Sequence, residues 1–220
     1  PVALGGGPTN PEHLGQEVKI GRHGSLHGYL KVNGKQGHVA YQHLANNPIP
    51  ILAKLIDALC EHEFDQENEH FVASNLEFTT VDVGNTAENV IPAKAKAHFN
   101  IRYNDNWTAE TLGAKCREIL DATGLEYELD IRGDAESFFT KPGEWSALVQ
   151  DAVEEVTGKR PEATTTGGTS DARFVINYCP VVECGGINST IHQIDENARI
   201  DDLLDLTAIY GAILNRYFSS

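Results

Sequence analysis

Residues 25–32 alternate between apolar and polar, with Leu26, Leu30 and Val32 on one face and His27, Tyr29 and Lys31 on the other. A period of two predicts a half-buried strand, which Asn33-Gly34 ends with turn chemistry. Between residues 49 and 64, Leu52, Leu55, Ile56 and Leu59 recur at helical spacing, with Pro48 and Pro50 near the start, where proline is tolerated. Residues 75–83 are rich in strand formers. Alternation returns over residues 93–103, with Ala95, Ala97, Phe99, Ile101 and Tyr103 on one face and Lys94, Lys96, His98, Asn100 and Arg102 on the other. Thr108 is suited to cap a helix that Gly124 stops, and residues 125–132 alternate again. The order β-α-β-β-α-β is the ferredoxin-like plan and predicts one α+β unit.

The rest of the chain follows a different pattern. Residues 1–15 are rich in Gly and Pro and predict an irregular lead-in, with Gly5-Gly6-Gly7 as a flexible linker. Residues 145–156 predict a helix, followed by a short extended run near Ala163. A Gly/Thr loop over 164–169 then opens a second helix, expected over 170–178. Residues 179–184 hold a buried-looking strand, and residues 201–218 a long amphipathic helix. Strands alternating with helices suggest α/β, but the strands are too few for a complete sheet.

Composition narrows the function classes. The chain has 220 residues, 17 basic and 32 acidic, a formal charge of −15. Nucleic-acid phosphates and anionic membrane surfaces would be repelled. No stretch approaches the roughly 18 apolar residues of a spanning helix, and no signal-peptide pattern opens the chain. Cys60, Cys116, Cys179 and Cys184 form no CxxC pair; free thiols and a cytoplasmic location are the expectation. Methionine is absent and the first residue is Pro1, so residues upstream are expected to be missing.

Two features carry candidate chemistry. The Gly/Thr loop before the helix expected at Ser170 is either an anion site or a tight connection; without a Lys-Ser/Thr ending it is not a P-loop. Among nine histidines there is no HExxH pair, and His62 and His70 read as solvated. His192, on a loop shortly before Asp195-Glu196, is either a zinc ligand or a surface residue. Spacing alone gives His38 no role.

Four segments then join. GRHGSLHGYLKVNGKQGHVAYQHLANNP (21–48), NVIPAKAKAHFNIRYN (89–104), TTTGGTSDARF (164–174) and NSTIHQIDE (188–196) together resemble the M20 family of dinuclear zinc metallohydrolases. The resemblance runs in order from about residue 8 to 218. Within the family it points to bacterial amidohydrolases that remove a succinyl group from an N-succinyl amino diacid in diaminopimelate and lysine synthesis. It implies a ferredoxin-like dimerisation domain joined to a partial zinc-peptidase-like α/β domain. The boundaries are a lead-in at 1–22, the dimerisation domain at 23–133 and the C-terminal part of the catalytic domain at 134–220. It implies a homodimer in which His38 reaches the partner's site and stabilises the oxyanion of the tetrahedral intermediate. Arg22, Ser25, Tyr41, Asn89, Arg102, Thr169, Arg173 and Asn188 match substrate-contacting positions, and the arginines suit bidentate binding of carboxylates. His192 matches a zinc ligand.

The same resemblance marks departures. The family holds two zinc ions with a His-x-Asp segment, a Glu-Glu pair that includes the general base, and a Glu in a Gly-Glu-Pro-Thr motif. The first two lie upstream of Pro1, and the third position is Gly7 in Gly6-Gly7-Pro8-Thr9. The second Arg of the usual GRRGS is His23. The expected alternatives are a fragment of a longer enzyme, a shortened homologue with Gly5-Gly6-Gly7 as a splice, or a site completed by a separate chain. Function divides accordingly between a zinc-dependent amide hydrolase and a non-catalytic dimerisation or ligand-binding module.

Overall fold

The computed structural model describes residues 1–219. In chain order the elements are β1 (Ala3–Gly5), β2 (Glu17–Lys19), β3 (Gly21–Arg22), β4 (Gly24–Asn33), β5 (Gly37–His38), α1 (Pro48–Cys60), β6 (Asn75–Asp82), β7 (Val90–Ile91) and β8 (Lys94–Tyr103). There follow α2 (Ala109–Ala122), β9 (Glu128–Ala135), β10 (Phe138–Phe139), α3 (Glu144–Thr157), β11 (Glu162–Thr164), α4 (Ala172–Val175), β12 (Val181–Glu183) and α5 (Ile200–Ser219). They fall into two units, one of residues 24–136 and one of residues 1–23 with 137–220.

The unit of residues 24–136 is an antiparallel sheet of order β6-β8-β4-β9 whose apolar face packs on α1 and α2. Register follows the alternation: Leu26 lies opposite Ile101, Leu30 opposite Ala97 and Val32 opposite Ala95. All six are buried, together with Leu52, Leu55 and Leu59 of α1 and Leu112, Cys116 and Leu120 of α2. Gly28 faces Phe99, and a Cβ there would stand 2.0 Å from the ring, so this position admits no side chain. Thr108 caps α2 by accepting from Thr111 N–H, as its position before an amphipathic run leads one to expect.

The other unit is an α/β sheet of order β1-β12-β2-β11, with β1 parallel to β12 and β2 parallel to β11. Helices α3 and α5 pack through Val149, Ala152, Val153, Ile209 and Ile213 against Val18, Ile20, Val182 and Cys184 of the sheet. Ile200, Leu204, Leu214 and Phe218 of α5 are exposed. Among the described residues no helix is long and apolar enough to cross a membrane.

Three expectations need correction. Residues 1–15 are not wholly irregular: Ala3–Gly5 is a strand, and Trp145 Nε1 donates to Ala3 O at 2.9 Å, while residues 6–15 carry no helix or strand. Gly5-Gly6-Gly7 is not a free linker, because Gly5 pairs with Glu183 and a Cβ on Gly185 would meet Gly7 O at 2.0 Å. The helix expected over 170–178 is only the single turn of α4. Its apolar residues are consecutive rather than spaced to one face, and Phe174 and Tyr178 stay exposed.

Candidate functional site

In the α/β unit, β2, β3, β12 and the 164–170 loop enclose a cavity of about 400 Å³, within the usual range for small-molecule sites. Arg22, Thr169, Asn188 and His192 line it, so four residues proposed from sequence converge there. Arg173 does not line it; its Nη1 donates to Ser170 O at 3.1 Å and its guanidinium stacks on Phe174.

Four buried or largely buried charges shape the cavity. Arg22 Nε donates to Glu183 Oε2 at 2.7 Å and Nη1 to Thr166 O at 3.1 Å. Lys19 Nζ donates to Glu17, to Thr164 Oγ1 at 2.7 Å and to Thr166 Oγ1 at 2.9 Å. Burial pushes the Glu17 carboxyl up, but hydrogen bonds from Lys19, Thr164 and Thr166 outweigh it and hold the group below its ordinary value. Each cation therefore has its own carboxylate, and together they fasten the Gly/Thr loop to the sheet. Gly167 adopts φ +100°, and a Cβ there would lie 2.5 Å from Arg22 Nη1. Only glycine allows the loop to come this close to the guanidinium.

The far rim is fixed by a buried asparagine. Asn10 Nδ2 donates to Gly185 O at 2.7 Å, its Oδ1 accepts from Glu17 N at 2.8 Å, and Asn188 N donates to Asn10 O at 2.8 Å. His192 has φ +62°, the one non-glycine in the left-handed region among the described residues, and its N–H donates to Glu196 Oε2 at 3.3 Å. Strained backbone of this kind persists where the surroundings hold it, often at functional positions.

The residues here do not make a complete metal site. Among the described residues no group of three or more His, Cys, Asp or Glu side chains is placed to hold a metal ion. Both cavity carboxylates, Glu17 and Glu183, are committed to Lys19 and Arg22.

The remaining candidates lie in the ferredoxin-like unit. His38, Tyr41 and Asn89 are neighbours: β5 pairs with β7, Val39 N donates to Asn89 O at 3.1 Å, and the His38 and Tyr41 rings are 5.8 Å apart. All three are exposed. His38 Nδ1 accepts from Ala40 N–H at 3.1 Å, so the neutral ring carries its proton on Nε2 and keeps a donor there. Ser25 and Arg102 are opposite one another on β4 and β8, with Ser25 buried and Arg102 exposed. A larger concavity of about 630 Å³ sits between α2 and β9, but no proposed site residue lines it.

Glu17, Lys19, Ser170 and Glu183 escape a sequence reading that assigns charged and hydroxyl residues to the surface by default. The usable signal is a charge inside an apolar run, as in Val18-Lys19-Ile20 and Val181-Val182-Glu183-Cys184.

Residues 20–128 match the peptidase dimerisation domain model of the M20 type. The chain is 54% identical over 219 residues to the succinyl-diaminopimelate desuccinylase of Methylorubrum populi, covering 98% of this chain and 57% of that protein. It is 53% identical over 216 residues to the protein of the same name from Xanthobacter autotrophicus, covering 98% and 58%. The chain thus spans a little over half the length of these curated relatives. Among solved structures, the M20 family metallo-carboxypeptidase Sso-CP2 from Sulfolobus solfataricus superposes with a TM-score of 0.78 at 17% identity, covering 95% of this chain and 61% of that one. Aminopeptidase PepT from Bacillus cereus gives 0.76 at 18%, covering 94% and 55%. These two likenesses establish the fold. Residues 20–128 therefore match the M20 peptidase dimerisation domain, within a chain that resembles succinyl-diaminopimelate desuccinylases over nearly its whole length.

Proposed function

We propose that this chain is the dimerisation and substrate-recognition part of a bacterial, cytoplasmic desuccinylase. The reaction is hydrolysis of the amide of N-succinyl-LL-2,6-diaminopimelate to succinate and LL-diaminopimelate. The observation that carries the reading is the convergence of Arg22, Thr169, Asn188 and His192 on one cavity built around a buried guanidinium. A substrate with several carboxylates needs such a cation, held rigidly and partly neutralised so that it is tolerated without ligand.

On this reading the chain's own residues do three things. Arg22 receives a substrate carboxylate, with Thr169 and Asn188 adding hydrogen bonds beside it; Arg173 acts behind the loop through Ser170 O. In a homodimer, His38 donates from Nε2 to the oxyanion, with Tyr41 and Asn89 beside it. Ser25 and Arg102 supply further polar contacts from the sheet. His192 is the one metal ligand assigned to the chain, and two zinc ions would need ligands beyond those described.

That shortfall supports a second reading, a module that dimerises and binds the diacid without hydrolysing it. Measuring zinc per chain and release of succinate from N-succinyl-LL-2,6-diaminopimelate decides between them. Two tightly held zinc ions with turnover exclude the module. Carboxylate binding with neither excludes hydrolysis by this chain alone.

A further inference from the structure

The cavity contains one polar group whose position the fold does not explain. Ser170 Oγ is fully shielded from solvent, yet it has no hydrogen-bond partner, the one buried side-chain polar atom in that state among the described residues. It lines the same cavity as Arg22. A buried hydroxyl without a partner is costly, and nearly all such groups in folded proteins are paired.

The neighbouring groups show what kind of partner is missing. Lys19 has three N–H groups and three acceptors, in Glu17, Thr164 and Thr166. It is used up in holding the loop. Arg22 spends Nε on Glu183 and Nη1 on Thr166 O, and Nη2 has no protein acceptor among the described residues. The carbonyl of Ser170 is also occupied, accepting from Arg173 N at 3.3 Å and from Arg173 Nη1 at 3.1 Å. This fixes where the serine sits without using its hydroxyl. Arg22 Nη2 and Ser170 Oγ, both on residues that line the cavity, are thus donors for which the fold supplies no acceptor.

We propose that Ser170 is a ligand-binding residue whose hydroxyl donates to a carboxylate held by Arg22. The inference rests on the desuccinylase reading and adds a contact that the motif resemblance did not assign. A hydroxyl donating to a charged acceptor forms one of the stronger hydrogen bonds, and the Ser170 hydroxyl is shielded from water. The loop geometry makes the contact possible: Gly167 lets the backbone pass against Arg22, and Ser170 follows three residues later.

The test is calorimetric titration of the full chain with N-succinyl-LL-2,6-diaminopimelate and with its fully methyl-esterified form, alongside thermal unfolding of the ligand-free proteins. The wild-type chain should bind the acid saturably and the ester far more weakly. Ser170→Ala should weaken acid binding about tenfold or more, while its ligand-free unfolding midpoint stays the same or rises. Carboxylate-dependent binding that Ser170→Ala changes by less than about threefold overturns this inference alone. Weakening accompanied by a lowered midpoint also overturns it, because the hydroxyl then serves the fold. Failure of the wild-type chain to bind the acid, or equal binding of the ester, removes the desuccinylase reading together with the inference.

Discussion

The two units solve the problem of stability with different materials. In the ferredoxin-like unit, ten-residue strands β4 and β8 run side by side, and their buried faces are almost wholly apolar. The α/β unit has strands of two or three residues, and its buried set includes Lys19, Arg22 and Glu183. Long strands bury much apolar area per turn of chain, whereas short ones leave room at the sheet's end for charged side chains that must pair with each other. The second arrangement gathers its buried charges around one cavity.

The largest effects should come from breaking either arrangement, and only one of them can be repaired by a second change. Arg22→Met leaves Glu183 buried without its cation and should cost about 3–5 kcal/mol, read from urea unfolding of the α/β unit. Adding Glu183→Gln should recover most of that loss. Phe99→Ala should cost a similar ~3–5 kcal/mol in the other unit, with no polar second change able to restore it. Equal, additive losses for Arg22→Met and Glu183→Gln would show that the pair is not coupled.

A gentler comparison uses a thiol in each core. Cys116 lies in the ferredoxin-like core and Cys184 in the α/β core, and burial pushes both thiols up to about 12. Both should resist alkylation in the native protein, while the exposed Cys60 reacts. As urea is raised, Cys184 should be labelled before Cys116, because short strands and buried charges favour local opening. Labelling in the opposite order would reverse the comparison.

The smallest effect is pH-dependent and confined to the α/β unit. The Glu17 carboxyl is held below its ordinary 4.5, so its contribution is complete above that value and is lost as pH falls through the depressed one. Stability followed from pH 6 to pH 3 should therefore fall less steeply in Glu17→Gln than in the wild type. Identical slopes would mean that the pairing with Lys19 adds nothing.

This contrast also explains how much could be read from the sequence. The faces of β4 and β8 are legible because alternation persists over ten residues, long enough for Leu26, Phe99 and Ile101 to mark one side. β1 and β2 are illegible because three residues carry no period, and the partner of β1 lies at the other end of the chain. Arg22, Thr169 and Asn188 come from motif resemblance rather than spacing, and His192 without it is one of two readings, since the four are scattered over two loops and a two-residue strand. Lys19 and Glu183 were missed because a charged residue is buried only when a distant partner makes it so, and the partner is set by tertiary structure.

The central claim is that the cavity around Arg22 receives the substrate's carboxylate. Amide chemical-shift mapping of the full chain with N-succinyl-LL-2,6-diaminopimelate tests it most directly. Saturable shifts centred on Arg22, Thr169, Ser170, Asn188 and His192 are the predicted result. Shifts centred instead on the larger concavity around Arg117, Tyr127 and Leu129, or no saturable shifts at all, would contradict it.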